Sequence, residues 1–307
     1  MGTPEAAVPS LERLLAEGHE IAAVWTRPDK PSGRGNKLAL SPVKQFATLH
    51  GLPVHQPSKL KTEEARALFA SQAAELAVVV AYGRILPLEF LRVPARGCLN
   101  VHFSLLPLYR GAAPVNWAIV NGEWRTGVTT MFIEEQLDSG PILLQREVEI
   151  EKDETAPQLS KRLAELGADL LAETLSKFDS ITPRPQHDRD ATLAPMLRRE
   201  DGLTKWDFSA VEIERCVRGF QPWPNAYTFY RSRRLIIWKA EPVTTTEVEA
   251  GMPGEVVEAH GNDLVVKCGK NTALRIIELQ PESKRRMGVR DFLNGTDLKV
   301  GERFDKI

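Results

Sequence analysis

Three polar residues stand at alternate positions near the end of one apolar segment: Asn100, His102 and Ser104. In an extended strand, alternate side chains lie on the same face, so these three share one face while Leu99 and Val101 share the other. An amide, an imidazole and a hydroxyl can together bind a ligand and move a proton. Because open α/β sheets bind ligands beyond the carboxyl ends of their strands, we predict that this polar face points into a crevice.

Asp138, in the turn at 137–141, adds a carboxylate to the pair formed by Asn100 and His102. An aspartate before a turn glycine is often only turn chemistry, but the three residue types together suit acyl transfer to an amine. An amide N–H and an imidazolium can stabilise the tetrahedral oxyanion. A carboxylate can orient the ring and help to remove the proton of the attacking ammonium. The sequence has no Gly-x-Ser-x-Gly elbow and no Cys–His signature, which is consistent with direct transfer between two bound substrates.

Three other interpretations of these residues remain open from the sequence. His102 can be a hydrogen-bonded core histidine, although its place two residues after Asn100 at a strand end favours a site. A metal hydrolase would need ligands from His50, His55, His102 and His187, which show no paired spacing such as His-Glu-x-x-His. An RNA-binding protein on an inactive enzyme scaffold would be expected to have lost the Asn–His–Asp set, yet all three residues are present.

The chain around these residues alternates between strand-like and helix-like patterns. Residues 77–81 are continuously apolar, as in a parallel strand that is covered on both faces. Alternation of strands and helices predicts a Rossmann-like α/β fold with a doubly wound, mostly parallel sheet. The strands are expected at 21–25, 76–81, 99–103 and 128–133, and the helices at 11–17, 42–50, 62–73 and 159–178.

The pattern changes after the last of these helices. Residues 180–203 contain three prolines among polar residues, which is typical of an interdomain linker. Beyond it the apolar runs are short and separated by turns, which predicts a small β-barrel or sandwich after one helix at 211–219. We therefore expect a catalytic domain at 1–179, a linker at 180–203 and a second domain at 204–307. The strands of the second domain are expected at 235–238, 254–257, 264–266 and 274–279.

Length, charge and cysteine content exclude several classes of protein. A chain of 307 residues, 42% hydrophobic and 26% charged, favours two globular domains. Lys and Arg number 40 against 41 Asp and Glu, so a surface for nucleic acid must be a local one. The three cysteines form no Cys-x-x-Cys pair, which favours a reducing, cytoplasmic location and argues against disulfides and a thiolate zinc site. No apolar run of about 18 residues and no signal peptide is found, so no membrane partner is expected.

The motif Asn-x-His-x-Ser-Leu-Leu-Pro at 100–107, with the later Leu-Asp-x-Gly at 137–140, resembles the signature of the folate-dependent formyltransferases. The resemblance implies that Asn100, His102 and Asp138 are catalytic, that 10-formyltetrahydrofolate is the formyl donor and that no metal is used. Residues 80–86 are similar to the loop whose backbone holds the pterin ring in that family. The folate-binding residues implied are Ala81, Tyr82, Gly83, Ile85, Leu86, Ser104, Leu105, Leu106 and Pro107.

Further segments resemble the members of the family that act on initiator methionyl-tRNA. They are the opening Gly-Thr-Pro-Glu at 2–5, a basic loop at 27–38 and two segments at 220–226 and 238–240. The resemblance implies formyl transfer to the amino group of methionyl initiator tRNA, a C-terminal OB-like β-barrel that binds this tRNA, and a monomer. The tRNA contacts implied are Arg27, Lys30, Arg34, Lys37, Arg110, Arg233, Lys284 and Arg285.

The acceptor has an alternative within the same family. A formyltransferase that acts on a small amine, such as an amino sugar nucleotide, needs neither a basic loop nor a barrel domain. By composition, the loop at 27–38 equally fits a solvated surface loop, and the basic clusters at 231–234 and 284–286 fit solvated turns.

The chain also departs from the family pattern. An apolar strand normally precedes Gly-Thr-Pro, whereas only Met1 precedes Gly2 here. A doubly wound sheet without this strand would leave neighbouring edges unpaired. Either the start is misassigned or the chain is truncated, and we expect lower stability than for a version extended by several apolar residues. Leu108 stands where the family often has Arg or Lys, and Met196 where it often has Lys, so each is expected to remove one tRNA contact.

Overall fold

The computed structural model of the protein describes residues 1–32, 37–243 and 251–304. Its helices are α1 (Val8–Ala16), α2 (Pro42–Leu49), α3 (Glu63–Ala70), α4 (Leu88–Leu91), α5 (Pro114–Asn121), α6 (Ala156–Ser176), α7 (Ala210–Gly219) and α8 (Val289–Asn294). Its strands are β1 (Val24–Trp25), β2 (Lys30–Ser32), β3 (Lys37–Ala39), β4 (Val54–His55), β5 (Ala77–Val79), β6 (Cys98–His102), β7 (Arg110–Gly111), β8 (Arg125–Phe132), β9 (Ile142–Glu149), β10 (Leu193–Ala194), β11 (Ala226–Tyr230), β12 (Arg233–Val243), β13 (Val256–His260), β14 (Asp263–Lys267), β15 (Ala273–Pro281) and β16 (Met287–Gly288). None of the described helices is both long and apolar enough to span a membrane.

The chain divides into two compact units, each assembled from separated stretches. The first unit comprises Met1–Pro114, Arg125–Glu149 and Leu159–Pro195, and the second comprises Val115–Trp124, Ile150–Gln158 and Met196–Ile307. The segment predicted to be a linker is shared between them, with 180–195 in the first unit and 196–203 in the second.

The sheets of the first unit contain both parallel and antiparallel pairs, whereas a mostly parallel sheet was predicted. β1 pairs with β4 in parallel and β5 pairs with β6 in parallel, whereas β6, β8 and β9 are antiparallel neighbours. The strand predicted at 128–133 therefore runs against both of its neighbours. For β8 and β9 the reason is local: the short loop at 133–141 joins them, and short connections join antiparallel strands.

Met1 and Gly2 lie between β1 and the end of β5. The Gly2 N–H donates to the Trp25 carbonyl at 3.0 Å, and the Met1 ammonium donates to the Val78 carbonyl at 2.7 Å. Burial lowers the pKa of this ammonium from 8.0 to about 6. Next to Met1, a cleft of about 580 Å³ is lined by α1 and by the segments that carry β1 and β5. The stability of an extended chain stays a prediction.

Helix α6 covers the face of the sheet opposite to the candidate site. Its apolar stripe is buried at helical spacing, through Leu159, Leu163, Leu170 and Leu171. Burial of one such leucine contributes about 1.5 to 3 kcal/mol. Gly167 allows close approach, because a Cβ there would lie 2.9 Å from Cγ1 of Val101. With Val101 packed toward α6, the alternation of the strand places Asn100 and His102 on the other face.

The second unit is built on an antiparallel sheet in the order β11-β12-β15-β14-β13, with β16 paired to β15. Helix α7 begins at a capping box in which Ser209 and Glu212 each accept from the other's backbone N–H. Its buried residues Ile213 and Val217 belong to one apolar cluster with the strands. Within the described ranges β11 and β13 are not paired with each other, so the unit is β-rich but the predicted closure into a barrel is not observed.

Candidate active site

The end of β6 carries the polar residues predicted from the sequence. Leu99 and Val101 are buried, and on the other face Asn100 is half-buried and His102 is 6% exposed. Hydrogen bonds of the neighbouring strand β8 hold this part of β6 in place, with Asn100 opposite Met131. The site strand is thus fixed on both sides, by α6 beneath it and by β8 beside it.

The Asp138 carboxylate lies beside both of these side chains. Its Oδ1 accepts from Nδ2 of Asn100 at 3.5 Å, and its Oδ2 lies 3.7 Å from Nδ1 of His102. Oδ2 also accepts from the backbone N–H of Gly111 at 2.8 Å. The side chain of Asp138 is 11% exposed. The structure therefore brings together the three side chains that we predicted to be catalytic.

The second nitrogen of His102 faces a backbone carbonyl. Nε2 lies 3.0 Å from the Tyr109 oxygen, and because a carbonyl can only accept, Nε2 must carry a proton. Nδ1 then faces Asp138, as an acceptor in the neutral ring or as a second donor in the imidazolium. Nε2 is therefore hydrogen-bonded while Nδ1 lies near a carboxylate, and the hydrogen bond at Nε2 sets the orientation of the ring before any ligand binds.

The turn at 104–107 is held by polar contacts beneath it. The Ser104 hydroxyl donates to the Leu108 carbonyl at 2.6 Å and is fully buried. Thr129 donates its hydroxyl proton to the Ser104 carbonyl at 2.7 Å and accepts from the Leu106 N–H at 3.1 Å. The peptide bond between Leu106 and Pro107 is cis. Of the residues predicted here for folate, Leu105 and Pro107 are half-exposed, while Ser104 and Leu106 are buried.

The loop that follows β5 contains exposed residues and residues whose side chains are buried in the core. Ala81, Gly83 and Ile85 are exposed, and Ile85 is 77% exposed. Tyr82 and Leu86 are instead buried in an apolar cluster with β1 and α4, and burial raises the pKa of the Tyr82 phenol. Ala81 and Gly83 have φ values of 46° and 76°, a left-handed conformation that bends the loop at both positions. The loop therefore offers backbone and one apolar side chain to a ligand.

Two glycines near Asp138 allow the chain segments to approach. A Cβ on Gly111, whose φ is +130°, would lie 2.4 Å from the Ala194 oxygen, because β7 pairs directly with β10. A Cβ on Gly140 would lie 2.0 Å from the Phe132 oxygen. In the sequence, Gly140 stands out only as the last residue of the Leu-Asp-x-Gly motif, and no role was predicted for Gly111. The close approach of other backbone segments, which makes them necessary, is not visible in a sequence.

Gln186 is a residue of this site that the sequence reasoning missed. Its Nε2 donates to the Asp138 carbonyl at 2.9 Å and to the Gly140 carbonyl at 2.8 Å, and its Oε1 accepts from Nε of Arg110 at 3.1 Å. Arg110, predicted as a tRNA contact, is 8% exposed and also pairs with Asp188 at 2.8 Å. A glutamine in a polar, proline-containing stretch is typical of a linker, so the sequence held no signal for this role.

The basic loop of the first unit is only partly described. Arg34 lies outside the described residues, and so does the side chain of Lys37. Lys30 is exposed, whereas Arg27 is half-buried. The base of the loop is anchored by Asp29, which forms an ion pair with Lys44 and accepts from Nε2 of Gln56 at 2.9 Å. The hydrogen bond from Lys44 holds the pKa of the Asp29 carboxyl below its usual range.

The basic clusters at 231–234 and 284–286 contain two groups of residues. Arg231, Arg234 and Arg286 are engaged within the unit, by Glu302 at 3.0 Å, by the ring of Tyr227 at 4.1 Å and by Glu278. The predicted tRNA contacts Arg233, Lys284 and Arg285 are exposed, and none has an ion pair within the described part of the chain. The second group is therefore available to phosphates.

One group of potential metal ligands occurs among the described residues, at Glu258, His260 and Asp263, where the ligand atoms lie within 4.8 Å of one another. These residues lie around the β13–β14 hairpin. The histidines considered for a metal hydrolase are not part of this group: it contains none of His50, His55, His102 and His187.

Both halves of the chain match known families. Residues 1–175 match the formyl transferase family, and residues 196–297 match the formyl transferase C-terminal domain. The chain is 48% identical to the methionyl-tRNA formyltransferase of Caldanaerobacter subterraneus subsp. tengcongensis, over 98% of this chain and 97% of the relative. It is 49% identical to the methionyl-tRNA formyltransferase of Koribacter versatilis, over 96% of this chain and 94% of the relative.

Solved structures of lower identity share the fold. The N-formyltransferase of Helicobacter canadensis, in complex with folinic acid and dTDP-3-aminofucose, is 19% identical with a TM-score of 0.64, over 90% of this chain and 96% of that one. HypX of Aquifex aeolicus, in complex with tetrahydrofolic acid, is 17% identical with a TM-score of 0.57, over 86% of this chain. The matched part spans about half of HypX, 48% of its length.

Proposed function

Because the chain belongs to the methionyl-tRNA formyltransferase family, we propose that it transfers the formyl group of 10-formyltetrahydrofolate to the amino group of methionyl initiator tRNA. The observation that carries the proposal is the convergence of Asn100, His102 and Asp138 in a chain that matches these relatives along almost its whole length. The three residue types are those that formyl transfer to an amine requires.

The reaction forms one bond to the formyl carbon and breaks another. The amine nitrogen attacks this carbon, and the resulting oxyanion is stabilised by the Asn100 amide and the His102 ring. Asp138 keeps the ring oriented and takes up the proton of the ammonium, directly or through water. When the tetrahedral species collapses, the bond from the formyl carbon to the folate nitrogen breaks and that nitrogen takes up a proton. Because the amine attacks the donor directly, no enzyme nucleophile is needed.

The folate is proposed to bind between the loop after β5 and the turn at 104–107. The exposure of Ala81 and Gly83 supports this placement, since exposed backbone groups can bond the edge of a planar ring system. Ile85 offers an exposed apolar side chain to the ring. Ser104 and Leu106 act from below, by holding the shape of the turn.

The tRNA is proposed to meet the basic loop at 27–38 and the C-terminal domain at 204–307. Exposed Arg233, Lys284 and Arg285 can contact phosphates, which supports this assignment. We also propose that the sheet closes into an OB-like barrel. Register shifts in β12 and β13 support this, because such irregularities bend strands in the way that a barrel requires. The linker at 180–203, the monomeric state and a cytoplasmic location are proposed with it.

The test is formyl transfer from 10-formyltetrahydrofolate to charged initiator tRNA under single-turnover conditions. Charged elongator methionyl-tRNA and free amino sugars serve as competing acceptors in the same assay. We expect rapid transfer to the initiator species and slow transfer to the other two. Faster formylation of an amino sugar than of initiator methionyl-tRNA would contradict the proposed acceptor while leaving the formyl chemistry intact.

A further inference from the structure

The turn that carries Asp138 has little regular structure of its own. Asp138 has a φ of 52°, a left-handed conformation that is uncommon for a residue with a side chain, although aspartate tolerates it better than most. The preceding residues 134–137 are exposed, and Leu137 is 60% exposed. The position of the carboxylate therefore depends on contacts made from outside the turn.

Gln186 supplies such contacts from a segment that is distant in sequence. Its amide nitrogen donates to the carbonyls of Asp138 and Gly140, at 2.9 and 2.8 Å, on both sides of the bend. Because carbonyl oxygens only accept, the nitrogen must be the atom that faces them, which leaves the amide oxygen for Arg110. One side chain thus joins the turn to β7.

The support for Gln186 is itself fixed. Arg110 pairs with Asp188, two residues after Gln186, and β7 pairs with β10. Thr192 accepts from the backbone N–H groups of Arg110, through its carbonyl at 2.9 Å, and of Tyr109, through its hydroxyl at 2.8 Å. The same stretch of chain therefore holds the backbone on which His102 and Asp138 both depend.

We infer that Gln186 is a positioning residue for formyl transfer, which fixes the turn at 138–140 and thereby holds the Asp138 carboxylate against Asn100 and His102. The inference rests on the proposed function. Gln186 acts through Asp138, which makes its contribution one of geometry. A displacement of about 1 Å in a catalytic group can lower the rate about 100-fold. Loss of the two hydrogen bonds from Gln186 to the turn should therefore have a measurable effect on the rate.

The experiment compares two variants of Gln186 with a matched control. Gln186→Leu keeps the size of the side chain and removes every hydrogen bond, whereas Gln186→Glu keeps the acceptor for Arg110 and removes the two donors. Gln72→Leu is the control, because Gln72 also donates to a backbone carbonyl, that of Leu68 at 3.0 Å, in the same unit. We expect both Gln186 variants to lower kcat by about 10- to 100-fold, with KM for both substrates within about threefold and kcat of the control unchanged.

Two further readouts separate positioning from general loss of structure. In an Asp138→Ala background, Gln186→Leu should change kcat by less than about twofold, since residues that act through one another are not additive. Hydrogen exchange at the Gly111 amide, which donates to Asp138, should be faster in both Gln186 variants than in the parent and in the control. The exchange measurement needs no acceptor substrate, so it tests the inference even if the parent formylates a different amine.

The inference fails if either Gln186 variant keeps kcat within threefold of the parent. It also fails if the loss appears in KM, if the effects of Gln186→Leu and Asp138→Ala are additive, or if Gly111 exchange is unchanged. If Gln186→Leu does not fold, the same criteria apply to Gln186→Glu, which retains the contact with Arg110. Absence of any transfer to methionyl-tRNA by the parent would instead reject the proposed function.

Discussion

The side chains proposed for catalysis and those proposed for tRNA binding are held in opposite ways. Asp138 is 11% exposed and is bonded by Gly111 and Asn100, whereas Arg233 and Lys284 are exposed, with no ion pair in the part of the chain that is described. Stabilising an oxyanion requires donors that are already in place. Attraction to phosphates acts through charge and tolerates mobile side chains. Geometry should therefore govern the first region and charge the second.

The comparison is tested most strongly by removing the catalytic groups. His102→Ala and Asp138→Ala should each lower kcat by about 10³- to 10⁴-fold, because an oriented ring and a proton acceptor are lost, while tRNA affinity stays within about twofold. Single-turnover assays and filter binding measure the two quantities. Asp179→Ala, which removes an exposed carboxylate of the same unit, is the control. Retention of a tenth of the parental kcat by either variant would contradict the assigned roles.

A second contrast is between a glycine of the first unit that lies against another backbone segment and a glycine of the second unit that does not. Gly111→Ala should destabilise the protein by about 2 to 4 kcal/mol and lower kcat by about 100-fold, because the new Cβ meets the Ala194 oxygen and displaces the donor to Asp138. Gly288→Ala is the matched control, since nothing lies within 4 Å of a Cβ there. Urea unfolding gives the stability change, and equal losses in the two variants would argue against close approach at Gly111.

The buried charge of the Met1 ammonium should make the stability of the protein depend on pH. The Met1 ammonium has a folded-state pKa of about 6 against 8.0 in the unfolded chain, because burial disfavours its charge. The unfolded state then binds more protons between these values, so stability is fully present above pH 8 and is lost as pH falls through about 6. We expect a loss of about 3 kcal/mol across this window, measured by urea unfolding.

Acetylation of the Met1 amine provides the control for this pH effect. The acetylated chain keeps an N–H donor for the Val78 carbonyl but cannot take up a proton, so the part of the pH dependence due to Met1 should disappear. An unchanged dependence after acetylation would assign the effect to another group.

The smallest effects are expected at the exposed basic residues. We expect a loss of tRNA affinity of about three- to tenfold from each of Arg233→Gln, Lys284→Gln and Arg285→Gln, with kcat unchanged. The slope of log binding constant against log salt concentration should become shallower by about 0.7 to 0.9 in each variant. Lys177→Gln, in the other unit, makes the same change in net charge and should leave affinity within twofold. If the control weakened binding as much as the three variants do, net charge rather than location would explain the effect.

The local pattern of the site strand was predictable because it depends on the alternation of one strand. The sequence predicts which of residues 99–102 face the core, and the structure places Leu99 and Val101 there. The extent of β6 was predicted to within one residue at each end. The sequence predicted a mostly parallel sheet without assigning a direction to β8, and the antiparallel pairing of β8 with β6 and β9 came only from the structure, because residue type does not report the direction of a neighbouring strand.

The groups that complete the site were not predictable from residue types. Gly111 contributes its backbone N–H, Tyr109 its carbonyl and Gln186 an amide from a stretch that was predicted to be a linker. Backbone groups are the same in every residue, so only their position gives them a role. The placement of 180–195 in the first unit likewise depends on pairing between β7 and β10, each only two residues long.

The amino-acid sequence by itself determined the types of the reactive groups and the face of β6 on which two of them stand, because side-chain alternation follows from the geometry of one strand. Tertiary structure alone decided that Asp138, 38 positions after Asn100, reaches the same point, and that Gln186 and Gly111 hold it there. The reason is physical: hydrogen bonds act over about 3 Å, so their partners exist only after folding has joined distant segments.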